Sequence, residues 1–239
     1  MSLAGEHVAV LGGTSGIGLA VATAAAGLGA EVTVVSGNPD RVERAVTATS
    51  HRLRGAVADL TDGAQVRTLF EDLGALDHLA FTAGDALLQG RLADLEPEAI
   101  RKYFELRYFG LLTAVQAAAP RFRSAGSLTF VSGTVATRPS PGTAVPASVV
   151  GAIEGLTRAL AVELAPLRVN TIQPGIVRSP LWAGMTEAAR DQLFRETAAA
   201  NPLHRIAEPS DIARGFVYFM TQPHATGTVL TIDGGGLLT

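Results

Sequence analysis

The octapeptide Leu11-Gly12-Gly13-Thr14-Ser15-Gly16-Ile17-Gly18 joins a strand-like run, HVAVLGG, to a helical stretch expected to begin near Leu19. Glycines at 12, 16 and 18 let the backbone turn tightly and let a pyrophosphate approach, and the following helix aims its free amides and dipole at negative charge. Placed after the first strand of a βαβ unit, this spacing points to a dinucleotide, with Thr14, Ser15 and Ile17 on the same turn as further contacts. The chain has no cysteine, which excludes disulfides, thiolate nucleophiles and thiolate metal ligands. His7, His51, His78 and His224 show no metal-site spacing, and no metal is expected. Lys102 is the only lysine.

Such a loop must be held by strands, and the sequence supplies them. HVAVLGG, EVTVVSG, HLAFTAG, SLTFVSG, RVNTIQPG and TVLTIDGG each run apolar and break at glycine or proline, as buried parallel strands do. Amphipathic segments lie between them at 18–28, 65–73, 100–118, 151–164 and 211–220. Strand and helix in alternation imply an α/β fold, a Rossmann-like doubly wound parallel sheet with helices on both faces and its ligand beyond the carboxyl ends of the strands. With 239 residues, 47% of them hydrophobic, the chain is expected to form one domain over 1–239.

A net charge of −3 and scattered arginines argue against nucleic acid and anionic membrane as partners. No uninterrupted apolar run approaches the ~20 residues of a membrane span, and MSLAGEHVAVLGG lacks the pattern of a signal peptide. A cytoplasmic location is expected, consistent with the absence of cysteine.

The glycine loop resembles that of the short-chain dehydrogenase/reductase family, with Leu11 where Thr is usual. The resemblance continues along nearly the whole chain. Asp59-Leu60 is similar to the family's adenine-contacting Asp, Thr82-Ala83-Gly84 to the Asn-Ala-Gly after its fourth strand, and Pro174-Gly175-Ile176-Val177-Arg178-Ser179 to its nicotinamide-side Pro-Gly motif. Thr226-Gly227 and Asp233-Gly234-Gly235 match its last strand. The resemblance implies cofactor contacts from Asp59, Leu60, Ala83, Gly84, Pro174, Gly175, Ile176, Val177 and Ser179. An acid at the end of the second strand would bind a ribose diol and repel a 2′-phosphate. Here Ser36 stands at that place and Gly37 follows, which favours NADP(H) over NAD(H), with Ser36, Asn38 and Arg41 as phosphate contacts.

Ketone-reducing members of the family carry a Ser, a Tyr, a Lys four residues later and an Asn on the preceding helix. The tyrosine gives a proton to the carbonyl oxygen, the lysine lowers its pKa, and the serine holds the oxygen. In an ungapped register from Gly126 to Leu164, those places hold Gly133, Pro146, Val150 and, for the asparagine, Arg107. Proline and valine carry no exchangeable side-chain proton. Pro146 should also delay the helix to about Ala147 or Ser148 and keep Val145 extended. Arg107 is the catalytic candidate, because its charge can replace the lost lysine beside cofactor or substrate. Ser132 is a second candidate, although strand alternation aims it away from its neighbour's direction. Tyr103 lies one turn before Arg107, while Asp85, Thr134, Arg138, Thr143 and His204 fall in strand-end loops around the same site.

These residues are consistent with an NAD(P)-dependent oxidoreductase acting on a small carbonyl or hydroxyl substrate with an unusual proton source. Two other classes fit the same sequence: a cyclase, isomerase or dehydratase that keeps the dinucleotide as scaffold, and a non-catalytic dinucleotide-binding subunit. The family resemblance also implies a homodimer or homotetramer, paired through the helices over 100–118 and 151–164.

Overall fold

The computed structural model describes residues 2–49, 51 and 53–239. Among them, seven strands form one parallel sheet: β1 (His7–Leu11), β2 (Glu31–Ser36), β3 (Leu53–Val57), β4 (Leu76–Phe81), β5 (Phe122–Val131), β6 (Arg168–Pro174) and β7 (Val229–Ile232). Their order is β3-β2-β1-β4-β5-β6-β7. The winding direction reverses between β1 and β4, which pair from Val8 with His78 to Leu11 with Phe81, so their carboxyl ends open side by side at the switch point.

Strand alternation sorts the core into two layers. Ala9, Leu11, Leu79, Phe81, Leu128 and Phe130 face α3 (Gly63–Leu73), α5 (Gly110–Ala118) and α6 (Ala144–Glu163). Val8, Val10, Val32, Val34, Ala80 and Ile172 face α1 (Gly16–Gly27), α2 (Pro39–Thr47) and α8 (Pro209–Thr221). Phe216 and Phe219 of α8 are fully buried in the second layer, each contributing roughly 1.5–3 kcal/mol of transfer free energy. Two further helices, α4 (Pro97–Phe104) and α7 (Glu187–Ala200), lie between β4 and β5 and between β6 and α8 in the chain, respectively.

Besides α2 and α7, which no expected segment covers, the structure departs from the sequence expectations at five places. The six expected strands are joined by β3, an edge strand whose LRGAV carries exposed Arg54 and a central glycine closely packed on Val42, and so has little apolar signal. The helix after the glycine loop begins at Gly16, not near Leu19. The segment over 100–118 is interrupted by a π-helical turn, Glu105–Phe109, between α4 and α5. Beyond it Gly110 lies so near Leu60 that a Cβ would come within 2.9 Å of the Leu60 carbonyl oxygen.

The fourth departure is at α6, which starts at Ala144 and includes Val145 and Pro146 in its first turn. Proline is tolerated there because the first amides of a helix have no partner within it. Fifth, α6 is 20 residues long and apolar enough, by length and composition, to cross a membrane. In this fold its Val145, Val149, Ile153 and Leu160 are buried in the core.

Candidate active site

The glycine loop is pinned to the end of β4. Gly12 has φ +83°, and a Cβ there would lie 2.6 Å from Ala83 Cα. A Cβ on Gly18 would overlap the Gly12 carbonyl and come 2.5 Å from Thr82 Oγ1. Thr82 Oγ1 donates to the carbonyl of Leu11 at 3.0 Å and of Gly12 at 3.3 Å, so this threonine clasps the loop from where the resemblance expected an asparagine. Gly16, with φ +51°, has Pro180 and Ser179 next to it, and the Pro174–Ser179 segment thereby roofs the start of α1.

The start of α1 is uncapped. Side chains cap α2 (Asn38), α3 (Asp62) and α7 (Thr186), whereas Ser15 at the corresponding place makes no side-chain cap bond and the first turn holds no acid. An uncapped helix end beside a glycine turn suits a phosphate, which supplies the missing acceptor and charge. The residues present fit a dinucleotide.

At the end of β2, Ser36 Oγ accepts from Asn38 N at 3.3 Å and Asn38 Oδ1 accepts from Arg41 N at 3.0 Å, leaving the Asn38 amide nitrogen and the exposed Arg41 side chain pointing outward. Asp59 Oδ1 is taken by Thr61, at 2.9 Å from its amide and 2.7 Å from its hydroxyl, and Leu60 is buried. On the other side Gly175 N donates to Ile232 O at 3.1 Å, Val177 bridges to Ala207, and Trp182 Nε1 donates to Val177 O at 2.9 Å. Ile176 lies in this segment between Gly175 and Val177.

Of the relay positions, Gly133 lies just past β5, and Pro146 and Val150 lie in the first turns of α6. Gly133 is extended, and a Cβ there would meet only Val135 Cγ1, at 3.9 Å, so the serine's volume is open. Pro146 is buried on the inner side of α6 and Val150, one turn on, is half-buried. Ser132 turns toward α6, where its hydroxyl donates to Glu154 Oε1 at 2.9 Å. The same oxygen accepts from Gln173 Nε2 at 2.7 Å, and Gln173 reaches Thr137 and Thr231 at 3.0 and 2.9 Å. Glu154 thus ties the ends of β5, β6 and β7 to α6. No sequence signal marks it, because its partners lie 19 and 22 residues away.

Arg107, at the centre of the π turn, folds back onto the end of β4. Its guanidinium carbon lies 4.5 Å from the centre of the Tyr103 ring, and a Cβ on Gly84 would come 2.5 Å from its Nη1. Nη2 donates to the Asp85 carbonyl, and Nε lies 3.4 Å from Asp85 Oδ1. That ion pair lacks hydrogen-bond alignment, so the buried Nε–H has no acceptor among the described residues. Tyr103 is buried, and desolvation pushes its phenol above the usual value while the Arg107 charge pulls the other way.

The remaining loop candidates have other partners. Arg138 donates to the carbonyls of Gly236 and Thr239, Thr143 closes a turn on Ser140, and Thr134 starts a short 3-10 turn. His204 has φ +51° and an exposed side chain, and no bond links it to Arg107 or Ser132. Gly90 N donates to Gly142 O at 3.0 Å, joining the loop after β4 to the one before α6.

Fold and glycine cradle together define a dinucleotide-type α/β protein, and comparison with known proteins agrees. Residues 12–236 match the family model described as Enoyl-(Acyl carrier protein) reductase. The Short-chain dehydrogenase/reductase ATR9 of Stachybotrys chlorohalonatus is 34% identical, covering 99% of both chains. Among solved structures, the MalC Reductase/Diels-Alderase from Malbranchea aurantiaca is 30% identical with TM-score 0.93, over 99% of this chain and 98% of that one. A small-chain dehydrogenase in complex with NADPH is 32% identical with TM-score 0.86, over 98% and 99%. The chain belongs to the short-chain dehydrogenase/reductase family of oxidoreductases.

Proposed function

We propose that this protein is an NADP(H)-dependent oxidoreductase for a small carbonyl or hydroxyl substrate, in which Arg107 takes over the electrostatic part of a proton relay whose other members are gone. One observation carries the reading: the glycine loop suits a dinucleotide, the positions Gly133, Pro146 and Val150 carry no proton donor, and the Arg107 guanidinium lies against Gly84. Bound nicotinamide supplies or accepts hydride. Gly12, Gly16 and Gly18 with the first amides of α1 hold its pyrophosphate, aided by Thr14, Ser15 and Ile17. Asp59, Leu60, Ala83 and Gly84 line the adenine and ribose path, and Pro174–Val177 with Ser179 back the nicotinamide.

Arg107 stabilises negative charge growing on a substrate oxygen, as fixed cations do in a water-poor site. Ser132 is committed to Glu154, and Pro146 and Val150 hold no proton, so the proton comes from substrate or water. Loss of general-acid help costs about 10²–10⁴ in rate, which a strongly activated acceptor such as a quinone tolerates. Preference for NADP(H) is supported by Ser36 in place of an acid, with Asn38 Nδ2 and Arg41 beside it. A neighbour of similar fold has NADPH in its complex. Fluorescence titration with NADPH and NADH tests this directly: NADPH should bind more tightly, and failure of both to bind would end the proposal.

A second reading has its own support. MalC, the neighbour with TM-score 0.93, is named both reductase and Diels-Alderase, and loss of every relay proton donor suits a ring-forming or isomerising reaction in which the dinucleotide is not consumed. Turnover with unchanged nicotinamide oxidation state would select it.

Assembly into a homo-oligomer is part of the proposal. Phe109 and Val162 are exposed, and the outer face of α6 is smooth at Gly151 and Gly155, where a Cβ would meet nothing within 4 Å. A monomer in analytical ultracentrifugation would refute it.

A further inference from the structure

Arg107 is held in a way that leaves its hydrogen-bonding capacity largely unused. Of its guanidinium donors only one on Nη2 has an acceptor among the described residues, the main-chain carbonyl of Asp85. The buried Nε–H has none, and a buried donor without an acceptor is costly. Asp85 balances the charge without hydrogen-bonding to it: Oδ1 is 3.4 Å from Nε but misaligned, and the carboxylate accepts from no other described group. The Asp85 side chain is 44% exposed, against 17% for Arg107. The carboxylate can therefore rotate into water at little cost, while the guanidinium stays where it is, stacked on Tyr103 and seated on Gly84.

The seat adjoins the cofactor cradle. Arg107 covers Gly84, and the next residue back, Ala83, is the one against which Gly12 of the glycine loop is packed. The serine position is unfilled at Gly133. A planar guanidinium with free donors recognises paired or resonance-linked oxygens in bidentate fashion.

We propose that Arg107 is the receptor for an anionic oxygen of the substrate, a carboxylate, enolate or phenolate, and that Asp85 is a stand-in counter-ion which this oxygen displaces. The substrate class is then a small carbonyl compound bearing such a group, and Asp85 sets the selectivity by competing with anions while leaving neutral molecules no gain. This rests on the oxidoreductase reading for its location beside nicotinamide, but the anion site is testable without turnover.

The test is calorimetric titration of the whole protein saturated with NADP⁺, using benzoate as the anionic probe and benzyl alcohol as its neutral counterpart. Benzoate should bind at least about tenfold more tightly, a difference of ~1.4 kcal/mol. Asp85→Asn keeps the side-chain shape and the carbonyl that holds Nη2. It should tighten benzoate on the order of threefold to tenfold and leave benzyl alcohol unchanged. Arg107→Gln should remove the discrimination between the two probes. Added sodium chloride should weaken benzoate alone in the unmodified protein, a readout that needs no variant. Equal affinity for both probes, or benzoate binding unaltered by Asp85→Asn, overturns the inference. If the discrimination appears in a protein that takes up no NADP⁺, the anion receptor stands and the oxidoreductase reading falls. NADP⁺ uptake without discrimination removes the anion receptor and leaves the oxidoreductase reading in place.

Discussion

Arg107 occupies the space that a side chain on Gly84 would need: Nη1 stands 2.5 Å from the Cβ position of residue 84. The obstacle is the end of a flexible side chain rather than backbone, so Gly84→Ala should fold and push the guanidinium off its seat. We expect the melting temperature to change by no more than about 2–4 °C, the shift produced by ~1 kcal/mol in a chain of this size. Turnover, or benzoate binding in the NADP⁺ complex, should fall at least about tenfold. An unchanged affinity would show that Arg107 acts from some other position.

The choice of dinucleotide turns on the end of β2. Ser36→Asp puts a carboxylate where a 2′-phosphate would lie and where a ribose diol would accept it. NADPH affinity should drop by about tenfold or more and NADH affinity should rise, measured by the two titrations side by side. Unaltered NADPH binding would place the adenosine end elsewhere.

Glu154 supplies one oxygen to both Ser132 and Gln173. Glu154→Leu removes the acceptor shared by Ser132 and Gln173, leaving Ser132 only the longer contact to the Ile172 carbonyl at 3.5 Å, and should lower the melting temperature by several degrees. Glu154→Gln keeps the acceptor oxygen and should be milder. Equal melting temperatures for the two variants would show that the shared oxygen contributes nothing to stability.

His78 is buried at the other end of the sheet, with Nε2 2.6 Å from Glu6 and Nδ1 2.8 Å from Ser127. Burial holds its pKa below the ordinary 6.5, against the pull of Glu6. The unfolded chain therefore binds this proton more readily than the native one. Its effect on stability is absent above 6.5 and grows as pH falls from there through the lower native value. Thermal melts should show stability dropping on acidification through that window, and His78→Gln should flatten the slope. A slope untouched by the substitution would assign the acid sensitivity to other groups.

What the sequence made legible was set by periodicity and by local turns. The six expected strands and the glycine loop declare themselves because their apolar runs and glycines lie close together in the chain. β3 was hidden by exposed Arg54 and by Gly55 at its centre, and α7 by a face on which only Phe194 is buried. The partners of the two catalytic candidates are remote in the chain: Asp85 is 22 residues from Arg107, and Glu154 is 22 from Ser132. Pro146 misled locally, since the rule against proline in helices lapses in the first turn. Packing, not sequence spacing, selected these pairs.

The central claim is that hydride chemistry persists here on the charge of Arg107 without a tyrosine relay. Single-turnover oxidation of bound NADPH by phenanthrenequinone, followed at the nicotinamide absorbance in the unmodified protein and in Arg107→Met, tests it most directly. The unmodified protein should oxidise NADPH, and Arg107→Met should do so at a rate at least about tenfold lower, with NADPH affinity retained. NADPH that binds and stays reduced, or equal rates in the two proteins, would contradict it.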